Sequence, residues 1–206
     1  MNTEVYVIRH GEIDNPQNVL YGRTIPVFLN NEGRKQIQGI SEKIKKSGSK
    51  IDRIYTSPLD RAVRSAEIIA KSFGLKQEDV IIDEDLNDVD LPATAGRPLA
   101  ERDRIYSLGI DEYSEEFVAL GNESRAQVIE RMQKAFKRAV SENHGRTVAL
   151  VSHGDPIQFL LFTLKHPGDP VPSMNVLTSK DYPPKGSAER VTVDEKEKVI
   201  ASERIL

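Results

Sequence analysis

Cysteine is absent from the 206-residue chain. That excludes disulfides, thiolate metal sites and a cysteine nucleophile, and it is compatible with a reducing compartment. A basic excess is absent as well: 29 Lys and Arg face 32 Asp and Glu, a formal charge of −3. Nucleic-acid and anionic-membrane binders depend on such an excess, so neither partner is expected. No apolar run approaches the roughly 20 residues of a membrane span. The first residues, Met1-Asn2-Thr3-Glu4, enter a strand-like run without a basic leader. No signal peptide is therefore expected, and the expected location is cytoplasmic.

What is present reads as one globular α/β domain over residues 1–206, with a loop and helix insertion at about 84–122. Val5-Tyr6-Val7-Ile8 and Thr147-Val148-Ala149-Leu150-Val151 are short β-branched runs of the kind buried on both faces. Ile54-Tyr55 and Val80-Ile81-Ile82 are weaker strands. Helical stripes lie between them. Ile37, Ile40 and Ile44 share one face; Leu59, Ala62, Val63, Ala66, Ile69, Ala70 and Phe73 make a fuller one. Ser57 is expected to cap that second helix, Pro58 to fit its first turn and Gly74 to end it. A third helix is expected from Ser124, with a Ser124–Gln127 capping box, and a fourth after Asp155-Pro156, with Asp155 as its cap. Alternation of this kind implies a largely parallel sheet covered on both faces. The segments 84–122 and 166–187 break the rhythm. The second holds five prolines and reads as a long loop. Residues 188–205 read as a polar hairpin on a sheet edge.

Three of the four histidines precede glycine. His144-Gly145 sits at the expected end of the third helix, where both residues have routine structural uses. His10-Gly11 and His153-Gly154 instead follow buried strands directly. Ligands in open α/β sheets bind beyond the carboxyl ends of parallel strands, so these two rings could face one crevice. They could equally be satisfied polar residues at strand ends. Arg9 precedes the first histidine, and Arg61 lies in the first turn of a helix that opens on the same sheet edge. Two guanidiniums and two imidazoles around one point would form an anion site suited to phosphate. A surface ion pair is the ordinary fate of an arginine, and Arg64 is assigned to it.

Arg9-His10-Gly11-Glu12 after a strand, Ser57-Pro58-Leu59-Asp60-Arg61-Ala62 with Ser65-Ala66, and Val151-Ser152-His153-Gly154 resemble, in this order, the three motifs of the histidine phosphatase superfamily, the phosphoglycerate mutase-like proteins. The resemblance spans residues 4 to about 165. It implies a three-layer α/β/α fold with a mainly parallel, mixed sheet. It also implies His10 as a nucleophile that forms a phosphohistidine, with Arg9, Arg61 and His153 binding the phosphoryl group. A neutral imidazole is nucleophilic near neutral pH, and phosphoryl transfer needs mostly positioning and charge stabilisation. No cofactor or metal is then required, and no His-Glu-His set stands at metal-ligand spacing.

A leaving alkoxide needs a proton donor. The family's acidic residue falls on Leu86-Asn87-Asp88, which makes Asp88 the carried-over acid, one methylene shorter than the more frequent glutamate. Seven acidic residues and no Lys or Arg lie between 77 and 96. Crowded carboxylates disfavour one another's ionised form, which suits a proton donor, although a solvated acidic loop accounts for most of them. Asp90 is the rival donor. Asn15 and Gly22, in a Tyr21-Gly22 pair that resembles the family's substrate loop, are candidate substrate contacts. The family's usual asparagine offset, its aromatic-acidic-glycine pattern after the acid and the mutase insertions are not recognisable. The expected partner is therefore a small phosphorylated metabolite and the expected reaction phosphomonoester hydrolysis. A phosphoglycerate mutase-type phosphotransferase and a non-catalytic phospho-ligand module are the alternatives. Specificity is expected in loops 12–28, 89–122 and 166–187.

Overall fold

The computed structural model describes residues 1–177 and 182–205, with side-chain detail omitted at 103 and 175. Strands β1 (Thr3–Arg9), β2 (Arg53–Thr56), β3 (Val80–Ile82), β4 (Thr147–Ser152), β5 (Ala188–Val193) and β6 (Val199–Ile205) form one sheet in the order β3-β2-β4-β1-β5-β6. Pairings β3–β2, β2–β4 and β4–β1 are parallel, while β5 and β6 add antiparallel to the far side of β1. The helices are α1 (Asn31–Lys46), α2 (Asp60–Phe73), α3 (Leu99–Ser107), α4 (Glu115–Ala119), α5 (Arg125–Ser141), α6 (Gly154–Lys165) and a single turn, α7 (Met174–Leu177).

The period of two along each strand divides the core between two layers. Tyr6, Ile8, Ala149 and Val151 pack with the α1 and α2 stripes, including Ile37, Ile44, Ala62 and Ile69. Val5, Val7, Val148 and Leu150 face the other way and pack with Val128, Met132 and Phe136 of α5 and Ile157 and Leu160 of α6. Because both faces are covered, the central strands read as continuous apolar runs rather than alternating ones. Gly74 ends α2 in the left-handed conformation at φ 68°, and the Ser124–Gln127 capping box opens α5.

Two expected caps do not form. Helix α2 starts at Asp60 with Leu59 at the cap position, and no side chain caps it. The Ser57 hydroxyl lies two residues ahead of that position, where it accepts from the Leu59 N–H at 3.3 Å and meets His153 Nε2 at 2.8 Å. Asp155 lies inside the first turn of α6 rather than ahead of it, and His153 occupies the cap position. The segment 84–122 supplies α3 and α4, and the proline-rich segment contains α7; the part of that loop at 178–181 lies outside the described residues.

The strand-end loop that carries the first histidine is fixed by close backbone contact. A Cβ on Gly11 would stand 2.3 Å from the Gly33 carbonyl oxygen of α1, whereas one on Gly39, in the same helix, would meet nothing within 4 Å. Chemical denaturation should show Gly11→Ala losing more than about 2 kcal/mol. Gly39→Ala should gain roughly 0.5–1 kcal/mol from helix propensity and a less flexible unfolded chain. Small effects of the same sign at both positions would contradict this packing.

Candidate active site

Parallel register brings the two histidines together. Arg9 of β1 pairs with Ser152 of β4, so His10 and His153 each follow the last residue of adjacent strands. Their ring centroids are 5.1 Å apart and both side chains are buried. His10 Nδ1 lies 2.7 Å from the Gly11 carbonyl oxygen. A carbonyl only accepts, so Nδ1 carries the proton and the Nε2 lone pair is left free. The guanidinium Nε–H of Arg61 donates to His153 Nδ1 at 3.2 Å, which puts the His153 proton on Nε2, directed at the Ser57 hydroxyl. Burial, then the neighbouring His153 ring, then Arg61 and Arg9 hold the His10 imidazole well below its ordinary value of 6.5. Burial, followed by Arg61, Arg131 and Arg9, does the same to His153. Both rings are therefore neutral at neutral pH.

Arg61 is itself buried, at 1% exposure. Besides His153 it donates to the Gly22 carbonyl at 2.7 Å and to the Asp88 carboxylate at 2.6 Å. Gly22 has a φ of +47°, and a Cβ there would sit 2.7 Å from the Val89 carbonyl. The glycine thus lets the 20s loop lie against the loop that carries Asp88. That second loop is clamped from behind. Arg131 of α5 donates to the carbonyls of Asp85, Asn87 and Asp88, and Ser152 donates to that of Leu86. Sequence reasoning missed Arg131, whose position on α5 carries no signal of so distant a partner.

A cavity of about 330 Å³ opens beside these groups, with Arg9, His10, Asn15, Gly22 and Asp88 on its wall. Arg61 and His153 lie buried behind it. Arg9 stacks over the Tyr182 ring, 4.9 Å from its centroid, and donates to the Pro183 carbonyl at 2.8 Å. Asn15 uses its amide to close its own loop onto the Val19 backbone. Asp90 pairs with Arg23 and does not line the cavity, and Arg64 is exposed, with Asp60 and Glu67 as partners. The acidic run is not a crowd of carboxylates: Asp83 and Asp85 turn to Arg138, Asp88 to Arg61 and Asp90 to Arg23. Four of the seven acids thus face an arginine from another element, with Asp83 and Asp85 sharing Arg138, so mutual repulsion is not what sets the charge at Asp88. Asp155, expected as a cap, is buried and accepts from Tyr113 at 2.6 Å, Tyr182 at 2.5 Å and Arg102 at 3.1 Å. Lys185 and Glu12 form an ion pair on the cavity wall. The partnerships of Arg102 and Tyr182 with Asp155, and of Lys185 with Glu12, were also missed. The charge of Asp155 beside the third motif was the one visible hint.

A nucleophilic imidazole, a second buried imidazole and arginines at the carboxyl edge of a mainly parallel sheet define a site suited to phosphoryl groups. The chain matches the model of the histidine phosphatase superfamily (branch 1) over residues 5–180, and it belongs to that family. It is 31% identical over 162 residues to phosphoglycerate mutase-like protein 4 of Arabidopsis thaliana, covering 76% of this chain and 69% of that one. It is 31% identical over 169 residues to the uncharacterized phosphatase PhoE of Bacillus subtilis, covering 82% and 80%. Some other curated relatives are longer, and the chain spans 43% of their length. Among solved structures, YhfR of Bacillus stearothermophilus superposes with a TM-score of 0.78 at 23% identity, covering 97% of this chain and 95% of that one, which establishes the shared fold. Relatives thus include both a mutase-like protein and a phosphatase. Among the described residues, no helix is long and apolar enough to cross a membrane.

The two depressed histidines set a pH dependence of stability. The unfolded chain takes up a proton on each ring near pH 6.5, whereas the folded chain does so only at much lower pH. Their neutral burial is therefore least costly above pH 6.5, and stability is lost as the pH falls below that value. Each histidine contributes a slope of about 1.4 kcal/mol per pH unit there. Denaturant unfolding from pH 7.5 to 5 should show a steeper loss for the natural chain than for a His10→Asn/His153→Asn variant. Equal slopes would contradict the assigned protonation.

Proposed function

We propose that the protein is a phosphomonoester hydrolase that works through a phosphohistidine on His10. The observation that carries this reading is the hydrogen bond from His10 Nδ1 to the Gly11 carbonyl, at 2.7 Å. It fixes the tautomer that leaves Nε2 unprotonated, and burial keeps that ring neutral. The ester binds as its monoanion and passes its proton to Asp88 once Arg61 turns to the phosphoryl oxygens; Nε2 attacks phosphorus, the ester P–O bond breaks and Asp88 hands that proton to the leaving oxygen. In the second half, water attacks the phosphohistidine and Asp88 takes the proton back. The P–N bond breaks, inorganic phosphate leaves with that proton, and the imidazole and the Arg61–Asp88 pair are restored.

Arg9, Arg61 and His153 supply positive charge and hydrogen bonds as charge shifts among the phosphoryl oxygens. Arg61 donates to Asp88 and Gly22 in this structure. A phosphoryl group that recruits its N–H donors displaces the Asp88 carboxyl, which is then free to face the leaving oxygen. Binding and proton donation are thereby coupled through one guanidinium.

Steady-state kinetics tests these roles. His10→Ala should abolish phosphate release, a loss of about 10³-fold or more. Asp88→Asn should slow alkyl phosphates by about 10²-fold, yet slow p-nitrophenyl phosphate, whose leaving group needs little protonation, by much less. Equal losses for both would remove Asp88 as the acid. Transfer of the phosphoryl group to a second hydroxyl of the substrate, without phosphate release, would replace hydrolysis by mutase chemistry.

A further inference from the structure

The charges along the cavity wall are paired, with one exception. Among the described residues three cations line it: Arg9, Arg102 and Lys185. Lys185 is neutralised by Glu12. Arg102 is held between two buried carboxylates, 2.8 Å from Glu112 and 3.1 Å from Asp155. Its place is fixed further by Tyr106, which donates to Glu112, and by Tyr113 and Tyr182, which both donate to Asp155. Arg9 differs. It makes no ion pair with any described residue, and its Nε is buried without a partner. It stands next to His10, where the phosphoryl group would lie. The wall also carries the apolar side chains of Leu20, Leu91, Ala95 and Leu99.

We propose, building on the hydrolase reading, that the substrate carries one anionic group only, the scissile phosphoryl, on an uncharged alcohol with an apolar face. A second anion in the cavity, such as a carboxylate or another phosphate, would have to take Arg102 from two carboxylates or Lys185 from Glu12. Taking Arg102 would strand two buried acids, Glu112 and Asp155, which is costly, and taking Lys185 would leave the partly exposed Glu12 without its partner. The second anion would also lie beside Glu12 or Asp155, and like charges at that range repel. An uncharged alcohol disturbs neither pair and gains from the leucine wall. Glu12, Glu112 and Asp155 thus act as specificity residues by occupying the cations that a second anion would seek.

Glycerol 3-phosphate and 3-phosphoglycerate form a matched pair for the test, since they differ at one end by an alcohol against a carboxylate. Binding of both is measured by calorimetry on the His10→Ala protein, and turnover on the natural protein. Glycerol 3-phosphate should bind and turn over at least about tenfold better, the discrimination expected when a buried charge is left without a partner. Glu12→Gln, which frees Lys185 at a half-exposed position, should shrink that preference several-fold by improving the carboxylate. Asp155→Asn should do the same through Arg102 if it folds. Equal or better binding of 3-phosphoglycerate by the unaltered cavity would overturn the proposal, as would a preference that Glu12→Gln leaves unchanged. Selective binding of glycerol 3-phosphate with no turnover of either ester would uphold the proposal and overturn the hydrolase reading instead.

Discussion

The Arg61 guanidinium is the interaction on which the site depends. It is a buried cation, and an uncompensated charge in that position costs several kcal/mol. It is accommodated because three segments far apart in the chain each present an acceptor: the His153 ring after β4, the Gly22 carbonyl and the Asp88 carboxylate. Removing the cation would leave these acceptors facing one another. The pieces of the site are thus held together by the same donors that a bound phosphoryl group would use.

Around that hub, charges are settled pairwise by arginines reaching from other elements. Arg138 takes Asp83 and Asp85, Arg131 takes Glu123 and the loop that carries Asp88, and Arg102 takes Glu112 and Asp155. This pattern has two consequences. It fixes an otherwise irregular loop firmly enough to hold Asp88 near the reacting centre. It also leaves Arg9 as the cation on the cavity wall without a carboxylate partner among the described residues.

Much of the fold was legible because it is written in local patterns. The apolar runs at 5–8 and 147–151 carry the central parallel pair, and the stripes at 3.6-residue spacing carry α1, α2 and α5. The two His-Gly steps were legible because a strand end is a local feature, and parallel register then brings His10 and His153 together. Ser57 and Asp155 misled for a shared reason. Each has the composition of a helix cap but stands off the cap position and serves a tertiary partner: Ser57, two residues ahead of Leu59, meets His153, and Asp155, inside the first turn, accepts from Tyr113, Tyr182 and Arg102. The Glu12–Lys185 pair joins residues 173 positions apart, and no periodicity announces such a contact.

The central claim is that His10 becomes covalently phosphorylated. Rapid quenching of the enzyme with a ³²P-labelled phosphomonoester, followed by peptide mapping, tests it most directly. The account predicts label that is stable in base and labile in acid, confined to the peptide containing His10 and lost in His10→Ala. Hydrolysis that proceeds at full rate with no labelled protein at any quench time, or with label on another residue, would contradict it.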